Sequence, residues 1–73
     1  MYTNEQLREL GNHHGWTAAN HNYALSVSGE DPETLSPAGT MPLGLDADQA
    51  MWYADGFTSG VDEYVTKYGT QGF

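Results

Sequence analysis

The sequence predicts an all-α fold, a small bundle of two or three helices with a long structured loop. Two segments repeat apolar residues at helical spacing, and each opens on a capping box. The segment between them is rich in Pro, Gly and Ser, which is typical of a loop. We therefore divide a single acidic domain, residues 1–73, into an N-terminal helical segment 1–25, a loop 26–45 and a C-terminal amphipathic helix 46–68.

The C-terminal helix carries the clearest pattern. Asp46 is a good N-cap, Gln49 completes its capping box, and Gly69 follows Tyr68 as a natural C-cap. Eight apolar positions share one face at helical spacing: Ala50, Tyr53, Ala54, Phe57, Val61, Tyr64, Val65 and Tyr68. That face is wider than one short neighbour covers, so the sequence also favours self-association, with a homodimer as the simplest form.

The N-terminal segment opens on the capping box of Thr3 and Gln6. Gly11 and Gly15 bracket residues of poor helix propensity, so we expect the helix to break there, with Trp16 turned inward. The three-four spacing of the apolar residues leaves one continuous helix of about 22 residues as the alternative.

Two pairs of glycines have the same four-residue spacing, Gly11 with Gly15 and Gly56 with Gly60. A glycine inside a helix costs about 1 kcal/mol relative to alanine, so its presence calls for a reason. One reason is the close approach of a second backbone, which predicts a tightly crossed helical pair. The alternative is that one or both pairs mark irregular backbone.

The loop region contains two short stretches with a period of two. Residues 23–27 and 41–45 alternate apolar and small or polar side chains, a pattern of short strands. Pro42 would restrict the second stretch to a sheet edge. A minor β-ribbon between the stretches is therefore an alternative within the all-α expectation.

Composition narrows the class of partner. Ten acidic residues face two basic ones, and the net charge is −8. Such a chain repels nucleic acid and anionic lipid, and it favours encounters with basic protein surfaces. No apolar run approaches the roughly 20 residues that span a bilayer, and no secretory signal opens the chain. With no cysteine present, these features favour a cytoplasmic location without membrane contact.

Catalytic and metal motifs are missing from the sequence. It has no cysteine, no Gly-x-Ser-x-Gly elbow and no lysine-bearing phosphate loop. His14 and His21 lie seven positions apart, about 10.5 Å along a helix, which is too far to share one ion. We expect neither an enzyme nor a metal or other cofactor.

The wet face of the C-terminal helix carries an acidic stripe. Asp48, Asp55 and Asp62 repeat every seven residues, about 10.5 Å apart on a helix, with Trp52 and Glu63 beside them. Three loop acids extend the negative field: Glu30, Asp31 and Glu33. These eight residues form the predicted partner-binding set, although acids opposite an apolar stripe are also what any solvated helix shows.

Trp52 has three interpretations. It lies about 150° around the helix from the centre of the apolar face, where a tryptophan is unexpected. The loop could cover it through Met41 or Leu43, it could anchor a partner as an exposed aromatic, or it could form an oligomer contact.

In size, charge and lack of catalytic residues, the chain resembles the small acidic inhibitors that phages make against host nucleases and other DNA-handling machinery, anti-CRISPR inhibitors among them. The likeness is one of general character and carries no residue across. It implies a non-enzymatic DNA-mimic inhibitor that occupies the basic site of a nucleic-acid-binding enzyme or effector complex. The alternative is an assembly module that binds itself or a larger complex through apolar helix surface.

Overall fold

A computed structural model describes residues 2–31, 33 and 35–69. Helix α1 runs over Asn4–Val27, a single 3₁₀ turn over Pro37–Gly39, and helix α2 over Ala47–Tyr68. The all-α prediction is confirmed. The described residues contain no strand, and the first half of the alternative β-ribbon is instead the last turn and a half of α1. No helix among them is long and apolar enough to cross a membrane.

Local capping sets the ends of both helices. The capping boxes of Thr3 with Gln6 and of Asp46 with Gln49 are both present, as predicted. Helix α1 ends in a Schellman motif, in which the Glu30 amide donates to the carbonyl oxygen of Leu25 at 2.8 Å. This motif needs a left-handed residue, which Gly29 supplies with φ of 83°.

The predicted break in the N-terminal helix is wrong, because α1 continues unbroken through Gly11 and Gly15. Both glycines are buried against α2, and this tertiary contact offsets their poor helix propensity. Trp16 therefore does not turn inward at a break. It lies half-buried on the flank of α1, where its ring packs edge-on against Tyr64 of α2, with centroids 4.9 Å apart.

The four helical glycines form the contact between the helices. A Cβ added at Gly11 would overlap the carbonyl oxygen of Tyr53, and one at Gly15 that of Phe57. The relation is reciprocal, because a Cβ at Gly56 or Gly60 would overlap a carbonyl oxygen of α1. The predicted close backbone approach is confirmed, and it resembles the small-residue contacts through which membrane helices pack.

The helices run parallel. Gly56 lies against the backbone of Arg8, and Gly60, four residues later, lies against the backbone of Asn12. Residue numbers therefore increase in the same direction along the two helices. Parallel elements need a long connection, and the segment between Val27 and Ala47 provides it.

The connecting loop lies along one side of the helix pair, which we call the closed groove, and hollows of about 200 and 300 Å³ remain there. Asn22, only 2% exposed, holds the start of the loop by donating to the Glu33 carbonyl at 2.8 Å and accepting from the Glu33 amide at 3.0 Å. Further along, the Tyr53 hydroxyl lies 2.5 Å from the Thr40 hydroxyl and 2.6 Å from Nδ1 of His14. These polar contacts fix the loop along the groove.

A small core joins the helices and the loop. Leu7, Tyr53 and Phe57 form its buried centre. Partly buried apolar side chains from both helices and the loop pack against them: Leu10, Ala18, Leu35, Met41, Leu45, Trp52 and Val61. Beyond the core, Tyr64 is buried among other aromatic rings and donates to Oδ1 of Asn20 at 2.9 Å.

Candidate partner-binding site

The other side of the helix pair is not filled by the loop, and we call it the open groove. Its hollow of about 570 Å³ is lined by residues of the two helices: Glu5, Arg8, Glu9, Asn12, Trp52 and Glu63. The glycine contact explains the shape. Because the backbones approach closely at Gly56 and Gly60, the larger side chains flanking them stand up as the walls of a groove.

A second hollow lies beside the first. Its volume is about 320 Å³, and it is lined by Arg8, Met51, Trp52 and Asp55. Arg8 and Trp52 line both hollows, so these two side chains form the boundary between them. Met51 adds apolar surface, since it is 63% exposed.

Trp52 is neither fully covered nor fully exposed. It is half-buried and packs against the cluster of Leu7, Tyr53 and Phe57. Leu43 is 99% exposed, so the interpretation that Leu43 covers Trp52 is wrong, whereas Met41 of the loop packs against the same cluster as Trp52. The hollows beside the ring are lined by helix residues alone.

Two polar contacts cross the groove between the helices. A guanidinium nitrogen of Arg8 lies 3.8 Å from a carboxylate oxygen of Asp55, and both side chains are more than half exposed. The Asn12 amide nitrogen lies 3.4 Å from a carboxylate oxygen of Glu63. Exposed pairs of such length add little stability, so these side chains are free to exchange partners.

The acidic stripe of α2 lies where the sequence predicts it. Asp48, Asp55 and Asp62 are all exposed. Asp55 lines the second hollow, and Glu63, also exposed, lines the first. Asp55 and Glu63 therefore share hollows with Trp52, whereas Asp48 and Asp62 line neither hollow.

The three loop acids lie elsewhere. Glu33 is held by Asn22, and its carboxylate is 3.8 Å from Nε2 of His21 on the closed-groove side. Glu30 and Asp31 are exposed just after the end of α1. Because Glu33 is held by α1 at the closed groove, it does not line the hollows beside Trp52.

Five residues of the open groove lie outside the predicted set: Glu5, Arg8, Glu9, Asn12 and Met51. Two of them, Glu5 and Glu9, are acidic. They share one face of α1, four positions apart, and the parallel direction of the helices brings them opposite Trp52. The four-residue spacing of Glu5 and Glu9 was visible in the sequence. The surface of α2 that they face was not, because a periodic pattern does not encode the relative direction of two helices.

Titratable side chains also lie along the closed groove. Burial raises the pKa of the Tyr53 hydroxyl, and its hydrogen bond with Thr40 acts in the opposite direction. His14 is engaged with that hydroxyl, and His21 faces Glu33. Within the described ranges, no three His, Asp or Glu side chains come together as metal ligands would. This side of the molecule is organised for packing.

Comparisons with protein-family models, with curated proteins and with solved structures find no match for this chain.

Proposed function

We propose that this protein is a non-enzymatic acidic binding protein that docks the surface around Trp52 onto a basic site of a protein partner. In its most concrete form it is an inhibitor that occupies the nucleic-acid-binding site of an enzyme or effector complex. The contact set comprises the predicted residues of α2, namely Asp48, Trp52, Asp55, Asp62 and Glu63. Glu5 and Glu9 join them from α1.

The position of Trp52 carries the proposal. Its indole is half-buried, packs against the core and lines two surface hollows. Tryptophan is among the residues most often found at interface hot spots, since its large ring is desolvated on binding at low entropic cost. Exposed carboxylates on both sides of the ring supply the polar rim that such anchors have.

Charge defines the class of partner. The net charge of −8 on 73 residues gives a strong negative field, which accelerates encounter with a basic surface and repels nucleic acid. A site built to bind phosphates is such a basic surface. The exposed carboxylates of α2 offer it anions along a line, as a nucleic-acid strand does.

The experiment is affinity capture from a lysate, in which bound proteins are challenged with duplex DNA and with RNA at constant ionic strength. We expect nucleic acid to displace the captured partner. A charge-reversed variant, Asp55→Lys with Glu63→Lys, should lose capture. The variant Glu30→Lys with Asp31→Lys has the same net charge and should retain most of it.

Two outcomes contradict the proposal. Equal loss in both double variants would mean that net charge alone is responsible, and binding that survives high salt would exclude an electrostatic contact. Trp52→Ala separates the proposal from the alternative of an assembly module. Loss of partner capture with the helical circular-dichroism signal intact supports an anchor, whereas loss of self-association without loss of capture supports assembly.

A further inference from the structure

We infer that the open groove receives an arginine side chain of the partner, with its guanidinium against the indole of Trp52 and its charge between Glu9 and Glu63. This inference rests on the proposed function and names the chemistry of the central contact.

The larger hollow of the open groove is lined by more carboxylates than cations. Three carboxylates line the larger hollow, those of Glu5, Glu9 and Glu63. One cation, Arg8, also lines this hollow, and its guanidinium pairs with Asp55 of the other hollow. Among the described residues, the hydrogen-bond partner of Glu63 is the neutral amide of Asn12 at 3.4 Å. A cation from outside would therefore enter a hollow with a carboxylate excess.

The wall of the same hollow is aromatic. Trp52 lines this hollow. Among the described residues, the cation–π contact joins Lys67 to Tyr68, and no cation lies over the Trp52 ring. Tryptophan is the best aromatic partner for a cation. The ring and the carboxylates thus offer two complementary surfaces to one entering group.

Arginine fits this pair of surfaces better than lysine. A guanidinium is planar, stacks on aromatic faces, and is more weakly hydrated than an ammonium, so it loses less on entering a groove. Its fixed fork of donors also matches a carboxylate in a bidentate pair. An ammonium can meet the carboxylates, but it gains less from the ring.

The test compares a short blocked oligoarginine peptide with an oligolysine peptide of the same length. Trp16→Phe makes Trp52 the sole tryptophan, so its fluorescence reports on the groove. We expect the arginine peptide to shift Trp52 emission and to bind about two- to fivefold more tightly than the lysine peptide.

Matched neutralisations locate the contact. Glu63→Gln should weaken binding of the arginine peptide about two- to fivefold, as for one exposed charge pair, whereas Glu30→Gln, with the same charge change, should have less effect. If Trp16→Phe does not fold, calorimetry on the wild type and on Trp52→Leu replaces the fluorescence, and Trp52→Leu should abolish the preference for arginine.

The outcomes separate the two proposals. Equal affinity for the two peptides, or equal weakening by the two neutralisations, would overturn the arginine site and leave the broader docking proposal standing. Absence of binding to either peptide at low salt, together with failure to capture any partner displaceable by nucleic acid, would overturn both. Tighter binding of an apolar peptide than of either basic one would also overturn the arginine site.

Discussion

The two grooves beside the glycine contact begin from the same backbone geometry and differ in what occupies them. The closed groove contains the loop, which is tied by the buried Asn22 and by the Tyr53 hydroxyl. The open groove contains charged side chains whose contacts are long and exposed. One side of the pair thus ties its residues into the fold, while the other leaves them exposed.

The largest effect is expected at the glycine contact, which borders both grooves. In Gly15→Ala the new Cβ would overlap the carbonyl oxygen of Phe57, so the helices must separate. We expect a loss of about 2–3 kcal/mol in the free energy of unfolding, by chemical denaturation, despite the better helix propensity of alanine. Thr58→Ala, at an exposed position of α2, is the control and should be neutral or stabilising. Equal behaviour of the two variants would contradict the close packing.

Local and long-range features differ in how far the sequence predicts them. The two capping boxes and the Gly69 cap depend on residues within four positions of one another, and all three form as expected. The predicted break at Gly11 and Gly15 is wrong, because that prediction used local helix propensity alone. It did not include the backbone of α2, which those glycines contact. Tertiary packing overrides a weak local preference.

The candidate site shows the same limit. A helical wheel centred on apolar side chains gives no weight to glycine, yet Gly56 and Gly60 lie at the centre of the contact. The face of α2 that contacts α1 is therefore rotated toward Trp52. Trp52 lies at the edge of this face, about 100° around the helix from Tyr53. The acids of α2 were found from spacing alone, whereas Glu5 and Glu9 required the helix direction.

An intermediate effect is expected in the closed groove. Asn22→Ala removes both hydrogen bonds to the Glu33 backbone and should cost about 1–2 kcal/mol. Hydrogen exchange at the Glu33 amide should accelerate more than exchange in the middle of α2. Asn20→Ala is the matched control, because it removes the bond to Tyr64 and leaves the loop tied. If both variants release the Glu33 amide equally, the loop is not held by Asn22.

The smallest effect is expected in the open groove. Glu9→Gln should change the free energy of unfolding by less than about 0.5 kcal/mol, since Glu9 is exposed and crowded by like charge. Thermal unfolding at low and high salt provides the measurement. A loss comparable to that of Asn22→Ala would show that the open groove, too, contributes to stability, and the contrast between the grooves would fail.

Parallel helices make this small chain fold through distant partners. Gly60 of α2 lies against Asn12 of α1, nearly fifty positions earlier in the sequence. An antiparallel hairpin of the same helices could zip together from its turn, but here the whole connection must close before the glycines meet. The folding rate should therefore depend on the length and stiffness of the connecting segment. Shortening or loosening residues 35–46 would change the folding rate more than it changes the structure of either helix.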